Sequence, residues 1–150
     1  MLRRQRIVST ALVMLLSGAA LGQVDPLSGI DFVTIGDVGN PNWTGDGSNT
    51  NRGQVNYEYR IGRFEVTTAQ WVEFMNAAMD RPANDHIPHV FAPTQWGAVG
   101  TTAQNGGNRW RVPAGNEMLP TGGVDWRVCA IYCNSLHNGK SLDRSAFLSG

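Results

Sequence analysis

The stretch that decides the fold is YEYRIGRFEVTTAQWVEFMNA, residues Tyr57 to Ala77. Val55, Tyr57, Tyr59 and Ile61 alternate with Asn56, Glu58 and Arg60, the period of two expected of a strand with one buried face. Beyond Gly62 the apolar residues are Phe64 and Val66, so the parity has switched. A bulge at Gly62-Arg63 would restore the same buried face, and it predicts a break in backbone pairing near Gly62. At Thr67 the period becomes that of a helix, with Trp71, Phe74, Met75 and Ala78 on one side. Thr67 and Gln70 stand at the spacing of a capping box, in which each side chain accepts the other residue's backbone N–H. A strand end, a cap and a helix start fixed within so few residues read as scaffold, and the apolar stripe reads as core rather than as a ligand surface.

Upstream, Ile30 to Ile35 (IDFVTI) reads as a first short strand. Gly36 to Gly53 has almost nothing to bury and is expected to be a surface loop. Its Asp37, Asn40, Asp46 and Asn49 offer oxygen ligands of the kind calcium takes, but the EF-hand spacing is absent. Turn chemistry is the plainer reading of the same residues, and calcium is the alternative. At the start of the chain, Arg3, Arg4 and Arg6 precede an apolar run from Ile7 to Leu21, and Ala20-Leu21-Gly22 carries the small residues a signal peptidase reads. The expectation is an exported protein, secreted or periplasmic, with a signal peptide over residues 1–22 cut after Gly22 and one domain over residues 23–150. The run is shorter than the roughly 20 residues that cross a bilayer, so no membrane span is expected.

Downstream, Arg81 to Gly107 is the least readable segment. Asp85, His86 and His89 bring a carboxylate and two imidazoles together in sequence, the donor types of zinc, yet Pro88 argues against a helix presenting both rings on one side. A turn with exposed histidines is the expectation. Asn108 to Gly115 (NRWRVPAG) reads as another short strand. Asp125 is placed to cap a second helix, with Trp126, Cys129, Ala130, Cys133 and Leu136 at helical spacing and Asn138-Gly139 as a left-handed stop. The two helices are expected to cover a common sheet. Cys129 and Cys133 are the only cysteines. Four apart on one helix, they suit a shared metal or redox role by position, but a disulfide within one helical turn is strained. The reading preferred here makes both small buried hydrophobes on the apolar face.

With 12 basic and 12 acidic residues the chain has no net charge, and no clustered positive surface for nucleic acid is written in it. The 18 Gly and five Trp suit an irregular fold in which large rings fill the space between loops.

Two of these stretches carry a resemblance. Glu65, Val66, Thr67, Gln70, Trp71 and Phe74, then Pro120, Val124, Trp126 and Ala130, resemble two motifs of the formylglycine-generating enzyme (sulfatase-modifying factor) domain family, in the same order. The first is the strand-to-helix junction EVT-x-x-Q-[WY]-x-x-F. The second is P-V-x-x-V-S-W-x-x-A, where Thr121 and Asp125 replace the usual Val and Ser, Ala130 stands one position beyond the motif's Ala, and Ser135 stands where many members have Trp. The upstream VTIGDVGNPNW is similar to the start of exported bacterial members. The resemblance implies an α+β, C-type-lectin-like fold with short strands, two amphipathic helices and long irregular loops. For catalytic members it implies oxidation of a sulfatase cysteine to formylglycine by oxygen and a copper ion held by two cysteines of the family's back half. The R-L-P-T-E-x-E-W and G-N-V-W-E-W segments of that half are not written in these 150 residues. Cys129 and Cys133 fall where the family has small helix residues, so the copper role does not carry over to them. No catalytic, cofactor or metal residue is therefore assigned. The expected protein is a noncatalytic or partial member with a structural or binding role, its partner a protein or glycan at the cell surface, and its helices incompletely covered and so poorly stable. The alternatives are the front half of an active oxidase acting on a sulfatase, and a small secreted lectin-like binding module.

Overall fold

The computed structural model describes residues 23–45, 47 and 51–148. The expected signal peptide, and Asp46 and Asn49 of the surface loop, lie outside the described residues. The capping box at Thr67 forms in full. Thr67 is extended (φ −78°, ψ 159°), its hydroxyl accepts the Gln70 N–H at 3.3 Å, and Gln70 Oε1 accepts the Thr67 N–H at 3.0 Å. It opens helix α1, Thr68–Met79, whose Trp71, Phe74, Met75 and Ala78 are buried as their spacing predicts.

Thr68 beside the cap is fully buried and ties three segments together. Its N–H donates to the Leu119 carbonyl at 2.7 Å, its hydroxyl donates to the same carbonyl at 2.9 Å, and the Gly97 N–H donates to that hydroxyl at 3.0 Å. Thr67 bridges Pro120, and the Thr121 N–H donates to Val66 at 3.0 Å. The Gln95 and Gly122 backbones exchange hydrogen bonds at 3.2 and 2.8 Å. The helix start is thus held by residues some 50 positions further on.

The regular structure is sparse and mixed, an α+β arrangement. Strands β1 (Gln23–Val24), β2 (Asp31–Ile35) and β3 (Tyr59–Gly62) form an antiparallel sheet in that order. Strands β4 (Val99–Gly100) and β5 (Trp110–Arg111) form a second, two-stranded one. Helix α2 is Trp126–His137 and helix α3 is Ser145–Leu148. Among the described residues no helix is long and apolar enough to cross a membrane.

Two expectations about the sheet need correction. The alternation at Tyr57, Tyr59 and Ile61 is real, but the strand begins only at Tyr59 and these residues face solvent. Gly62 pairs with Phe32 and occupies the inward position instead: a Cβ there would lie 3.4 Å from Ile30 Cγ2 and 3.0 Å from the Phe64 carbonyl. Pairing does end near Gly62, though not through a bulge that returns the apolar face to the core. The Arg63 N–H makes one more bond, to Asp31 at 2.8 Å, then the chain bends away and Phe64 is left exposed.

Nor do the helices share a sheet. They meet through aromatic rings: Phe74 lies 5.3 Å from Trp71, 5.1 Å from Tyr132 and 6.2 Å from Phe147 between centroids. Ile87 and Val90, from the segment least readable in the sequence, complete this core, which the three-stranded sheet reaches through the half-buried Phe32 and Ile30 just before β2, and the two-stranded sheet through Trp110. On α2 the buried residues are Val128, Tyr132 and Ser135, so the helix is rotated from the expected face. Trp126, Ala130 and Cys133 are exposed and Cys129 is half-buried, so neither cysteine is the buried hydrophobe the spacing implied. The ring cluster decides the rotation, because Tyr132 makes closer aromatic contacts than a Cys or Ala stripe offers.

The ends of α2 are as expected. Asp125 Oδ1 accepts the Arg127 N–H at 2.8 Å. Gly139 is left-handed (φ 66°), and Gly139 and Lys140 donate to Leu136 at 3.1 Å and Ser135 at 2.8 Å, a Schellman closure.

Thr67→Ala is expected to lower unfolding free energy by about 1 kcal/mol in urea titration. Phe147→Ala is expected to lower it by about 3–5 kcal/mol, although Phe147 sits in a four-residue helix, because it is fully enclosed by the ring cluster.

Candidate functional site

Gln70, Glu73, Asn76 and Ala77 of α1, with Asp80 at its C-cap, flank the helix's buried stripe. With Tyr132 and Leu136 of α2 and the turn through Lys140 they line a groove of about 550 Å³. The groove exists because the Phe74 and Tyr132 rings act as spacers between the two helices. The Schellman turn brings Lys140 back over it, where the ammonium pairs with Glu73 and donates to the Leu27 carbonyl at 2.9 Å.

At the other end Arg81 is fully engaged. Its guanidinium donates to Ala77 at 3.0 Å, to the Leu142 carbonyl at 2.8 Å and to Asp85 Oδ2 at 3.0 Å. Asp80 Oδ2 accepts the Asn108 N–H at 2.6 Å, while its Oδ1 is buried without a hydrogen-bond partner among the described residues. Asn76 donates to and accepts from the Trp110 backbone, both at 3.0 Å, so it stands in as a strand partner for β5. These are clamps. They set groove shape and pair Glu73 with Lys140 and Arg81 with Asp85.

Burial pushes the Tyr132 phenol well above its ordinary value of 10.0, with the nearby Glu73 carboxylate adding to the shift. The phenol is therefore a neutral hydrogen-bond donor at the groove wall, not a base. Burial also raises the Cys129 thiol, helped by neighbouring Cys133 and Asp125, and partial cover raises Cys133. Neither thiol is activated as a nucleophile.

The other candidate residues are placed as follows. Asp85 is held by Arg81 and by Arg144 at 3.6 Å, His86 Nε2 meets the Arg81 carbonyl at 2.9 Å, and His89 is exposed with φ 63°. Asp85, His86 and His89 do not converge, and among the described residues no group of three or more His, Cys, Asp or Glu is placed to hold a metal. Asn40 donates to Gly53 at 2.9 Å and accepts from Val55 at 2.9 Å, the turn role of its residue type. The groove was not read from the sequence. The polar flank of α1 was visible, but its facing wall depends on the rotation of α2 and on the turn at Lys140. No protein-family model, no curated protein and no solved structure matches the chain.

The raised Tyr132 value has a consequence for stability. The folded state binds this proton more tightly than the unfolded state, so the contribution is complete below pH 10.0 and is lost as pH rises above it. The urea midpoint of the protein should fall between neutral pH and about pH 11, and Tyr132→Phe should fall less.

Proposed function

We propose that the chain is an exported sulfatase-modifying-factor-like module with a C-type-lectin-like organisation, acting as a structural or binding framework rather than as an oxidase. The observation that carries this reading is the meeting of the two matched motifs. The segment Glu65 to Phe74 and the segment Pro120 to Ala130 touch at the Thr67–Pro120 bridge, and the hydrogen bonds from Thr68 and Thr121 run along the same seam. Residues that match the family are used here to fasten a helix start, which is a framework role.

The donor set does not fit copper oxidase chemistry. That chemistry needs soft thiolate ligands in a preorganised, protected site. Cys133 is open to solvent, and both thiols are held toward their neutral form. The groove suits binding better: its wall offers a neutral phenol and amide donors beside the Phe74 ring, while its charged pairs hold the shape. A small polar ligand or a short glycan is the chemistry such a lining takes.

One observation favours a second reading, the front half of an active formylglycine-generating oxidase. Tyr59 and Ile61 of β3 are exposed on the sheet face that Val33 and Ile35 share, an apolar surface that further polypeptide would cover.

Incubating the purified chain with oxygen, copper and a cysteine peptide from a sulfatase tests whether these residues are themselves an oxidase. The framework reading expects no hydrazide-reactive aldehyde. Aldehyde formation that is lost in Cys129→Ser or Cys133→Ser would overturn it.

A further inference from the structure

The outward stripe of α2 carries Trp126, Cys129, Ala130, Cys133 and His137, successive residues of one helical face. Trp126 is 72% exposed, and Ala130, Cys133 and His137 are also open. The stripe is apolar at its centre, and its central residues are small enough to let a second helix approach closely. Its two cysteines are free, and a bridge between them within one helical turn is strained.

One row along this face, Asp125, Cys129, Cys133 and His137, each four residues from the next, is also symmetric. Cys129 and Cys133 stand equally far on either side of Ile131, and so do Asp125 and His137. When two copies of such a helix lie antiparallel about a twofold axis at the level of Ile131, each residue of this row meets its mirror position. Cys129 of each copy then faces Cys133 of the other, and the Asp125 carboxylate of each faces the His137 imidazole of the other. The antiparallel arrangement also sets the helix dipoles in opposition, with the acidic N-terminal cap beside the imidazole at the other helix's C-terminal end. Such an isologous contact uses one patch twice.

We propose that two copies of this chain associate through this stripe as an antiparallel helix pair, and that in an oxidising medium Cys129 of each copy is joined by a disulfide to Cys133 of the other. The oxidant is a small disulfide such as oxidised glutathione. One thiolate attacks it, forming a mixed disulfide and releasing one reduced glutathione. The facing thiolate of the second copy then displaces the other glutathione, which leaves as a thiol. Each crosslink therefore oxidises two cysteine thiols and reduces one glutathione disulfide to two thiols. A pair of three-turn helices buries less than the roughly 1,200 Å² of a standard stable interface, so the covalent links make the dimer persistent.

The test is oxidation of the full chain in a glutathione buffer, followed by nonreducing electrophoresis and mass mapping of crosslinked peptides. The expected product is a dimer whose dominant link joins the Cys129 peptide to the Cys133 peptide, reversed by reductant. Cys129→Ser and Cys133→Ser should each lose most of it, because the remaining like cysteines are offset by about a helical turn along the pair. Ala130→Glu, an exposed position outside the core, should reduce crosslinking at least tenfold while leaving the folded spectrum unchanged. A dominant Cys133-to-Cys133 link, an intrachain disulfide, no dimer under oxidation, or crosslinking unaffected by Ala130→Glu would each overturn the proposal.

Discussion

The arrangement depends on one buried hydroxyl. Thr68 donates to the Leu119 carbonyl and accepts from the Gly97 N–H, so one side chain fixes the start of α1 against two loops that have no regular structure of their own. A buried hydroxyl without such partners costs free energy of the order of 1–3 kcal/mol, so the loops that satisfy it are held to their course. The neighbouring Thr67–Gln70 capping box works on the same few residues, and together they convert a local sequence signal into a tertiary one. The loops through Gln95–Gly97 and Leu119–Gly122 are held along this seam, and only the short β4–β5 pair adds regular structure between them.

With the seam set, the ring cluster fixes the rest. Trp71 and Phe74 leave α1 on its buried side, and Tyr132 and Phe147 close on them from α2 and α3. Because the helices meet through rings, a groove remains between their polar flanks, and the Glu73–Lys140 and Arg81–Asp85 pairs span its two ends. Arg81, largely shielded, also lies over the Phe147 ring at 5.5 Å, so the same side chain borders the groove and the core. Shape and stability of the groove are thus coupled through residues that are not themselves reactive.

What the sequence made legible were features with local causes. The capping box, the apolar stripe of α1, the Asp125 cap and the Gly139 stop each depend on residues within one or two helical turns, and all stand as read. The faces of β3 and α2 depend on what lies opposite, and both were misread. Gly62 takes the inward place against Ile30, which sends Tyr59 and Ile61 outward. Tyr132 outcompetes Trp126 and the cysteines because the Trp71 and Phe74 rings already wait for it. Phe147, Ile87 and Val90 were missed because a lone apolar residue in a short element carries no period. For the same reason the groove has no signature: its walls come from segments that are joined only by folding.

Amide hydrogen exchange tests the central claim most directly. If the Thr68 seam organises the molecule, the N–H groups of Thr68, Gly97 and Thr121 exchange only on global unfolding, while those paired between β2 and β3 exchange sooner through local opening. Slow exchange in β2 and β3 with fast exchange at Thr68, Gly97 and Thr121 would contradict the account and make the sheet the organising element.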